Sequence, residues 1–323
     1  MHGCSTRKSK MAFLSVAYFA LVCSETVQAQ VKLEYKFVEG KKLIYKTTVK
    51  KSQNLSFMGM EIRNHEQRTI IESFTIGNRR ADLTLPIETK VESLRAEISL
   101  PGEDEMTYDT TDPKATINAP GFAFLGDILK LNAEAGYTVV LDGNNKVKAI
   151  EGTDALQEKI GKLDPRTQDL VRGEFEAETF KKIAEQRFQF LPDVLARQGE
   201  PWERTEILEI GDGRRFILRK KYEYRGTEKR EDKTFDKITW KVLEVKLSMD
   251  PNSKLPLKTT KSDLKVESSD GTILFDRNEG QIASSKEKLR CKGDQTLSAQ
   301  GTDVPSVVEL SIETNVELQA KPR

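Results

Sequence analysis

Apolar and polar residues alternate in two long stretches of the chain, and this period of two predicts β-strands. Residues 41–50 place Leu43 and Tyr45 on the same side of an extended chain, which is typical of a half-buried strand. Residues 307–313 show the same alternation near the other end of the chain. Both halves of the sequence are therefore predicted to contain sheet.

Short turn signals separate the predicted strands. Glycine, asparagine and aspartate tolerate the positive φ angles that tight hairpins need. Consecutive strands joined in this way form antiparallel meanders. The predicted turns are Gly77-Asn78, Pro101-Gly102, 142–145, Asp212-Gly213, 250–252 and Asp270-Gly271.

A change of period between the two β-rich stretches predicts helices. Apolar residues recur there at helical spacing, Thr153 can cap the first helix, and Leu191-Pro192 ends the region. A shorter helix is predicted over 122–131. Apolar stripes this rich need an apolar partner, so we expect both to pack onto a sheet face. The stripes are Leu156, Ile160 and Leu163, followed by Phe180, Ile183, Ala184 and Phe188.

Together these patterns predict the α+β class with predominantly antiparallel β structure. Segment 30–152 is the first β-rich region, 153–191 the helical region and 192–323 the second β-rich region. The meanders would form curved or packed sheets, and the central helical region would cover one face. We expect residues 30–323 to form one compact unit or two intimately packed halves.

The segment 1–29 has the features of a removable signal peptide. Three basic residues form its positive start, and an apolar run extends over 11–23. Ala29 ends a signal-peptidase site, so we expect cleavage there and export to the periplasm or the exterior. Two alternatives stay open. One is an uncleaved anchor helix, for which the apolar run is short. The other is lipid attachment at Cys23. A lipoprotein signal needs a small residue just before the cysteine, and a valine stands there.

Cleavage at Ala29 would leave almost no net charge and a single cysteine. The removed segment holds three basic residues and Glu25, so the formal charge changes from +1 to −1. Such a chain has no basic excess with which to bind nucleic acid, and we expect no transmembrane segment after cleavage. Only Cys291 remains, so a monomer has no disulfide and its stability must come from burial.

The sequence offers few candidates for catalysis or metal binding. His65 is the last histidine after cleavage, and we interpret it as a surface residue near a strand connection. Acidic clusters such as 103–105 lack the spacing of a calcium loop. We assign no catalytic residue, metal ligand or cofactor.

The basic stretch 214–230 is the strongest charge feature. Its aromatic and aliphatic residues alternate with cations, so we interpret it as a strand with a solvated face. Binding of an anionic envelope polymer or lipid head group is the alternative. Lys220 breaks the pattern because it falls on the apolar face.

Four phrases occur in order along the chain. They are Tyr35-x-Phe37-x-x-Gly40-x-x-x-x-Tyr45, Leu141-Asp142-x-x-x-Lys146-Val147-x-x-Ile150-x-Gly152, Phe190-Leu191-Pro192 with Gly199-x-x-Trp202, and Gly271-Thr272-Ile273-x-Phe275-Asp276-x-x-x-Gly280. Together they resemble an uncharacterised family of secreted bacterial proteins, the domain of unknown function 6263 type. One departure is Pro201, where the family tends to have an acidic residue or serine. The resemblance implies a fold and an export route, and it carries no catalytic residue.

We therefore expect a non-enzymatic binding or structural protein of the bacterial envelope. One alternative is a carrier that holds an apolar ligand such as a lipid between a curved sheet and the helices, by architectural analogy with lipoprotein carriers. A second alternative is a hydrolase that uses carboxylates alone. A large apolar cavity under the helices would favour the carrier.

The expected partners are an apolar ligand or an envelope component, and not nucleic acid. We expect Trp202 to be buried where the helices end and the second β-rich region begins. The candidate ligand or core contacts are Phe180, Ile183, Phe188 and Trp202.

Export can be checked on protein purified from its own host. Amino-terminal sequencing is expected to begin at Gln30, because the signal-peptidase site ends at Ala29. A cytoplasmic product that begins at Met1 would contradict the prediction.

Overall fold

A computed structural model describes residues 30–320, except 113, 115, 118, 120, 172, 212, 213, 250–256, 300 and 301. The predicted signal peptide lies outside these residues. The predicted turns at Asp212-Gly213 and 250–252 lie outside them as well.

Twelve strands make up the sheet of the described residues. Most of them are long, in keeping with the long alternating stretches of the sequence. The strands are β1 (Lys42–Phe57), β2 (Met60–Ile76), β3 (Leu85–Ser99), β4 (Met106–Asp109), β5 (Gly136–Leu141), β6 (Val147–Glu151), β7 (Pro201–Gly211), β8 (Arg214–Arg230), β9 (Lys233–Met249), β10 (Leu257–Asp276), β11 (Gln281–Ala299) and β12 (Thr302–Leu318).

Four helices accompany this sheet in the described part of the chain, which confirms the predicted α+β class with predominantly antiparallel β structure. The first matches the predicted short helix, and the other three fall in the predicted helical region. They are α1 (Ala123–Ala133), α2 (Asp154–Gly161), α3 (Pro165–Val171) and α4 (Ala177–Phe188). Thr153 precedes α2, but its side chain makes no capping hydrogen bond. Asp164 instead caps α3, where its carboxylate accepts the backbone N–H groups of Arg166 and Thr167.

Two antiparallel meanders join into one sheet at its centre. The strand order is β6-β5-β3-β2-β1-β12-β11-β10-β9-β8-β7, and β4 pairs with β3. Each meander follows chain order, as the turn signals predict. The joint is the antiparallel pairing of β1 with β12, which runs from Tyr45 opposite Leu318 to Phe57 opposite Ser306.

The helices cross the sheet because of this order. Strand β6 lies at one end of the sheet and β7 at the other, so the chain between them must travel across a face. Helix α4 contacts both of these end strands, and the backbone N–H of Ile207 in β7 donates to Gln186 Oε1 at 3.0 Å. The helical region therefore covers one face of the sheet.

The second half of the sheet curls over itself. Strands β9 and β10 pair only between 236–240 and 271–275, so they diverge beyond this short ladder. As a result Phe216 of β8 and Leu310 of β12 belong to the same buried cluster. Cys291 lies in that cluster as a free thiol, and burial raises its pKa to about 11.

The predicted turn at Asp270-Gly271 is wrong. Both residues lie inside β10, and the actual turn follows Asp276. Gly271 faces Trp240 across the ladder, and a Cβ atom there would lie 2.0 Å from the indole ring. The glycine is present because a tryptophan covers its backbone, and not because the chain turns.

The predicted two-residue turn at Gly77-Asn78 is also wrong, because a longer loop over 77–84 joins β2 to β3. Leu83 lies in this loop with φ 66°. The turns at Pro101-Gly102 and 142–145 are confirmed, since each lies between paired strands.

The two helical stripes have different partners. Ala184 and Phe188 pack on apolar residues of the sheet, as predicted. Leu156 and Ile160 lie mainly in a cluster built by all four helices, to which the sheet contributes Tyr137 and Ile150. The prediction that the first stripe packs onto a sheet face is therefore only partly right.

The contact between Gly271 and Trp240 gives a stability test. We expect Gly271→Ala to lower the free energy of unfolding by about 1–3 kcal/mol, because the new methyl group overpacks the indole. Gly136→Ala is the matched control in β5, since a Cβ there meets its nearest atom at 3.7 Å. Urea unfolding of both variants measures the difference, and equal stabilities would contradict this account of Gly271.

Candidate functional site

A cavity of about 700 Å³ lies between the sheet and the helices. Its floor is formed by the inner face of the central strands, including β1, β2, β3 and β12. Its roof is formed by α4 and by the segment that precedes β1. Most of the lining residues are aliphatic or aromatic, so the cavity is the large apolar space that the carrier alternative requires.

Strand register makes the floor apolar. Leu43 lies opposite Phe74, and Thr47 lies opposite Ile70 on one side and Val316 on the other. Because side chains of a strand alternate between faces, residues two apart on each strand line the same surface. Apolar residues of neighbouring strands lie side by side at these positions, whereas Glu72 and Arg68 of β2 lie opposite Tyr45 and Val49.

Aromatic rings build the roof. Phe180 stacks on Tyr137 with ring centroids 4.3 Å apart. Phe188 meets Tyr35, Phe37 and Phe74 edge to face, at 5.6, 5.6 and 6.4 Å. Such offset and edge-to-face contacts are favourable beyond their area of burial, so they fix α4 above the floor.

An ion pair lies inside this aromatic surface. Arg187 of α4 reaches Glu72 of β2 with Nη1 and Oε2 2.9 Å apart, and its guanidinium lies 4.5 Å from the centre of the Phe74 ring. The Tyr35 hydroxyl donates to the Arg187 carbonyl at 2.7 Å. Burial raises the pKa of Tyr137 in the same wall to about 12. These tyrosines therefore stay uncharged at neutral pH.

A second group of charges follows the cavity wall towards β7. Glu206 and Glu287 line the cavity, and Lys220 Nζ lies 2.7 Å and 3.7 Å from their carboxylates. The Tyr222 hydroxyl donates to Glu206, and Ser285 donates to Glu287 at 3.1 Å. Each carboxylate thus has both a cation and a hydroxyl as partners.

Lys220 lies behind this wall, as its place on the apolar face of β8 predicts. Its side chain is 7% exposed and its ammonium lies 4.0 Å from the centre of the Trp240 ring. Burial alone would lower the pKa of Lys220, but the carboxylates of Glu287 and Glu206 outweigh it and raise the pKa. The lysine is therefore held in its charged form.

Three of the four predicted contact residues line the cavity, namely Phe180, Ile183 and Phe188. Phe180 is buried, whereas Ile183 is 37% exposed. Trp202 does not line the cavity and is only partly buried, so the prediction of a buried Trp202 is wrong. It lies at the end of the helical region as expected, because its Nε1 donates to the Phe190 carbonyl at 2.8 Å.

The other candidate residues have structural surroundings. His65 is exposed, as predicted, but it lies within β2 and not near a connection. Of the basic stretch 214–230, Phe216, Leu218 and Tyr222 are buried, which supports the interpretation as a strand. Within the described ranges, no group of three or more histidine, cysteine or acidic residues is arranged to hold a metal ion.

Sequence reasoning missed the charged residues of the cavity. A signal was present at Glu72, because this residue interrupts the apolar phase of β2 between Ile70 and Phe74. Glu206 and Glu287 gave no such signal, since each lies among several other charged residues in its strand. Their meeting at Lys220 depends on the three-dimensional curl of the sheet.

Breaking the buried charge group is expected to destabilise the protein. Lys220→Ala leaves two carboxylates without their cation, which costs about 3–5 kcal/mol of unfolding free energy. Lys221→Ala, at the exposed neighbouring position, is the matched control and should change stability by less than about 0.5 kcal/mol.

The same group predicts a pH dependence. Because the folded state raises the pKa of Lys220, its contribution is present at neutral pH and is lost as the pH rises above about 10.5. Urea unfolding measured from pH 7 to 11 should show a decline in the parent that is smaller in Lys220→Ala. Equal declines would count against the charged lysine as the cause.

No helix among the described residues is long and apolar enough to cross a membrane.

Several solved structures are similar to the chain at low identity. A lipovitellin studied for lipid–protein interactions shares 13% identity, with coverage of 88% of this chain and 26% of that chain and a TM-score of 0.43. This chain therefore spans about a quarter of that lipovitellin. DynF from the dynemicin biosynthesis pathway of Micromonospora chersina shares 9% identity and has a TM-score of 0.20; the match covers 98% of this chain and 94% of DynF. OpdQ of Pseudomonas aeruginosa shares 6% identity and has a TM-score of 0.24; the match covers 87% of this chain and 100% of OpdQ.

Sequence comparison gives a clearer result. No curated protein matches the chain. A family model described as a family of unknown function, DUF6263, matches residues 82–282. This range is more than half of the sequence and extends from the loop before β3 into β11, so it includes the helices that cover the cavity. The chain belongs to the family of unknown function DUF6263.

Proposed function

We propose that the protein binds a lipid-like ligand with a long apolar part and works as its carrier outside the cytoplasm. The observation that carries this proposal is the cavity between the sheet and α4. Its volume of about 700 Å³ falls within the range of roughly 300–1,000 Å³ that is usual for ligand sites. Its apolar floor and aromatic roof favour an apolar occupant.

The position of the cavity supports a carrier more than a purely structural protein. A structural module would fill the space between its layers, because protein interiors are close-packed. Here α4 packs on the sheet through Ala184 and Phe188, and a cavity of about 700 Å³ remains beside these contacts. The chain thus keeps an apolar space open that its own side chains do not fill.

The charges of the cavity do not favour the hydrolase alternative. A glycosidase-type mechanism needs one carboxylic acid that donates a proton and a second carboxylate that acts as nucleophile or base. Glu206 and Glu287 instead share the ammonium of Lys220. Both side chains are thus engaged by one cation, and they are not arranged as a separate acid and nucleophile on either side of an open site.

Filling the cavity is the direct test. The parent is expected to bind the uncharged dye N-phenylnaphthylamine with increased emission, because the dye enters an apolar space. Val316→Trp places a large ring on the floor of the cavity. The ring takes up volume that the dye would occupy, so dye binding should weaken by about tenfold or more. Fluorescence titration measures the affinity.

Val307→Trp is the matched control. Val307 lies on the same strand, is 37% exposed and does not line the cavity, so dye binding should not change. If Val316→Trp lowers the thermal stability strongly, Ile183→Glu replaces it, because this half-exposed lining residue accepts a charge more easily. Absence of dye binding by the parent, or equal binding by all variants, would refute the proposed function.

A further inference from the structure

Most of the charged side chains named in the cavity wall are held in ion pairs. Among the described lining residues, Arg187 pairs with Glu72 and Arg68 pairs with Glu66. Lys36 donates to the Asn278 carbonyl at 3.2 Å. Glu206 and Glu287 share Lys220, which lies just behind the wall.

The count of charges leads to the same conclusion. The lining contains four cations and five carboxylates. The cations are Lys36, Lys51, Arg68 and Arg187, and the carboxylates are Glu66, Glu72, Glu174, Glu206 and Glu287. Lys220 supplies the fifth cation. The described wall and its immediate support therefore carry no net charge.

A net charge on the ligand would meet no net opposite charge in such a wall. An anionic head group would meet Arg187 only in competition with Glu72, and it would meet Glu206 and Glu287 before Lys220. A cationic head group would compete with the arginines and lysine for the same carboxylates. Placing an uncompensated charge next to apolar surface is costly, whereas a neutral polar group can hydrogen-bond to the ion pairs without breaking them.

We propose that the ligand is an amphiphile whose polar group carries no net charge, and that the paired charges of the cavity select against fatty-acid anions and alkylammonium ions. This inference rests on the proposed function and adds the chemical class of the ligand. The pair of Arg187 and Glu72 is its main determinant, because both side chains line the cavity and the guanidinium is fixed on the Phe74 ring.

The test compares three amphiphiles with the same chain length at neutral pH. Monolauroylglycerol is neutral, laurate is an anion and laurylammonium is a cation. Each is titrated against the complex of the full mature chain with N-phenylnaphthylamine, and displacement of the dye gives its affinity. We expect monolauroylglycerol to bind about tenfold more tightly than either charged compound, which corresponds to about 1.4 kcal/mol.

Substitutions of the ion pair make the test specific. Glu72→Gln leaves Arg187 without its carboxylate, so laurate should bind at least about tenfold more tightly than to the parent. Arg187→Gln leaves Glu72 unpaired and should favour laurylammonium in the same way. Glu151→Gln is the matched control, because it breaks an exposed arginine–glutamate pair with Arg80 that lies outside the cavity lining.

The outcomes separate the two proposals. Preference of the parent for monolauroylglycerol, with opposite shifts in the two variants, supports the inference. Equal or tighter binding of laurate or laurylammonium by the parent overturns it and leaves the lipid-like ligand in place. If the parent binds neither the dye nor any of the amphiphiles, the proposed function fails, and the inference fails with it.

Discussion

The pairing of β1 with β12 is the constraint on which the rest of the structure depends. Without it the chain would contain two separate meanders, each with its own exposed edges. With it, the first and last strands become the centre of one sheet, and β6 and β7 lie at its two ends. The residues between β6 and β7 must then cross the whole sheet. The cover over the inner face, and therefore the cavity, follows from this single ladder and from the connection that it imposes.

Local periodicity predicted the elements of this fold well, because it reports which side of a strand or helix is apolar. The alternation around Tyr45 and the stripe ending at Phe188 both indicate inner surfaces, and both residues line the cavity between sheet and helices. The failures have a different origin. Gly271 resembles a turn residue in its local sequence, but its role is set by Trp240, which is distant in sequence and adjacent in space. Local signals cannot distinguish these two reasons for a glycine.

The candidate site was also predictable in part, because periodicity shows which side of a helix is apolar. Apolar residues of the helical region could be named in advance, since an apolar stripe must face something, and Phe180, Ile183 and Phe188 do line the cavity. Whether they face a filled core or an open space depends on how far the sheet curves. That property arises from the combined register of many strands and from the divergence of β9 and β10. The sequence contains no local signature of it, and the same holds for the convergence of Glu206 and Glu287 on Lys220.

The central position of β1 also has a consequence for the order of folding. During synthesis β1 can pair with β2 at once, but its other edge has no partner until β12, the last strand of the sheet, has been made. Contacts of such large sequence separation require the closure of a very long loop, which slows folding. The nascent chain therefore keeps an unsatisfied strand edge in the middle of its future sheet for most of its synthesis. A chain of this design remains incompletely folded until late in its synthesis.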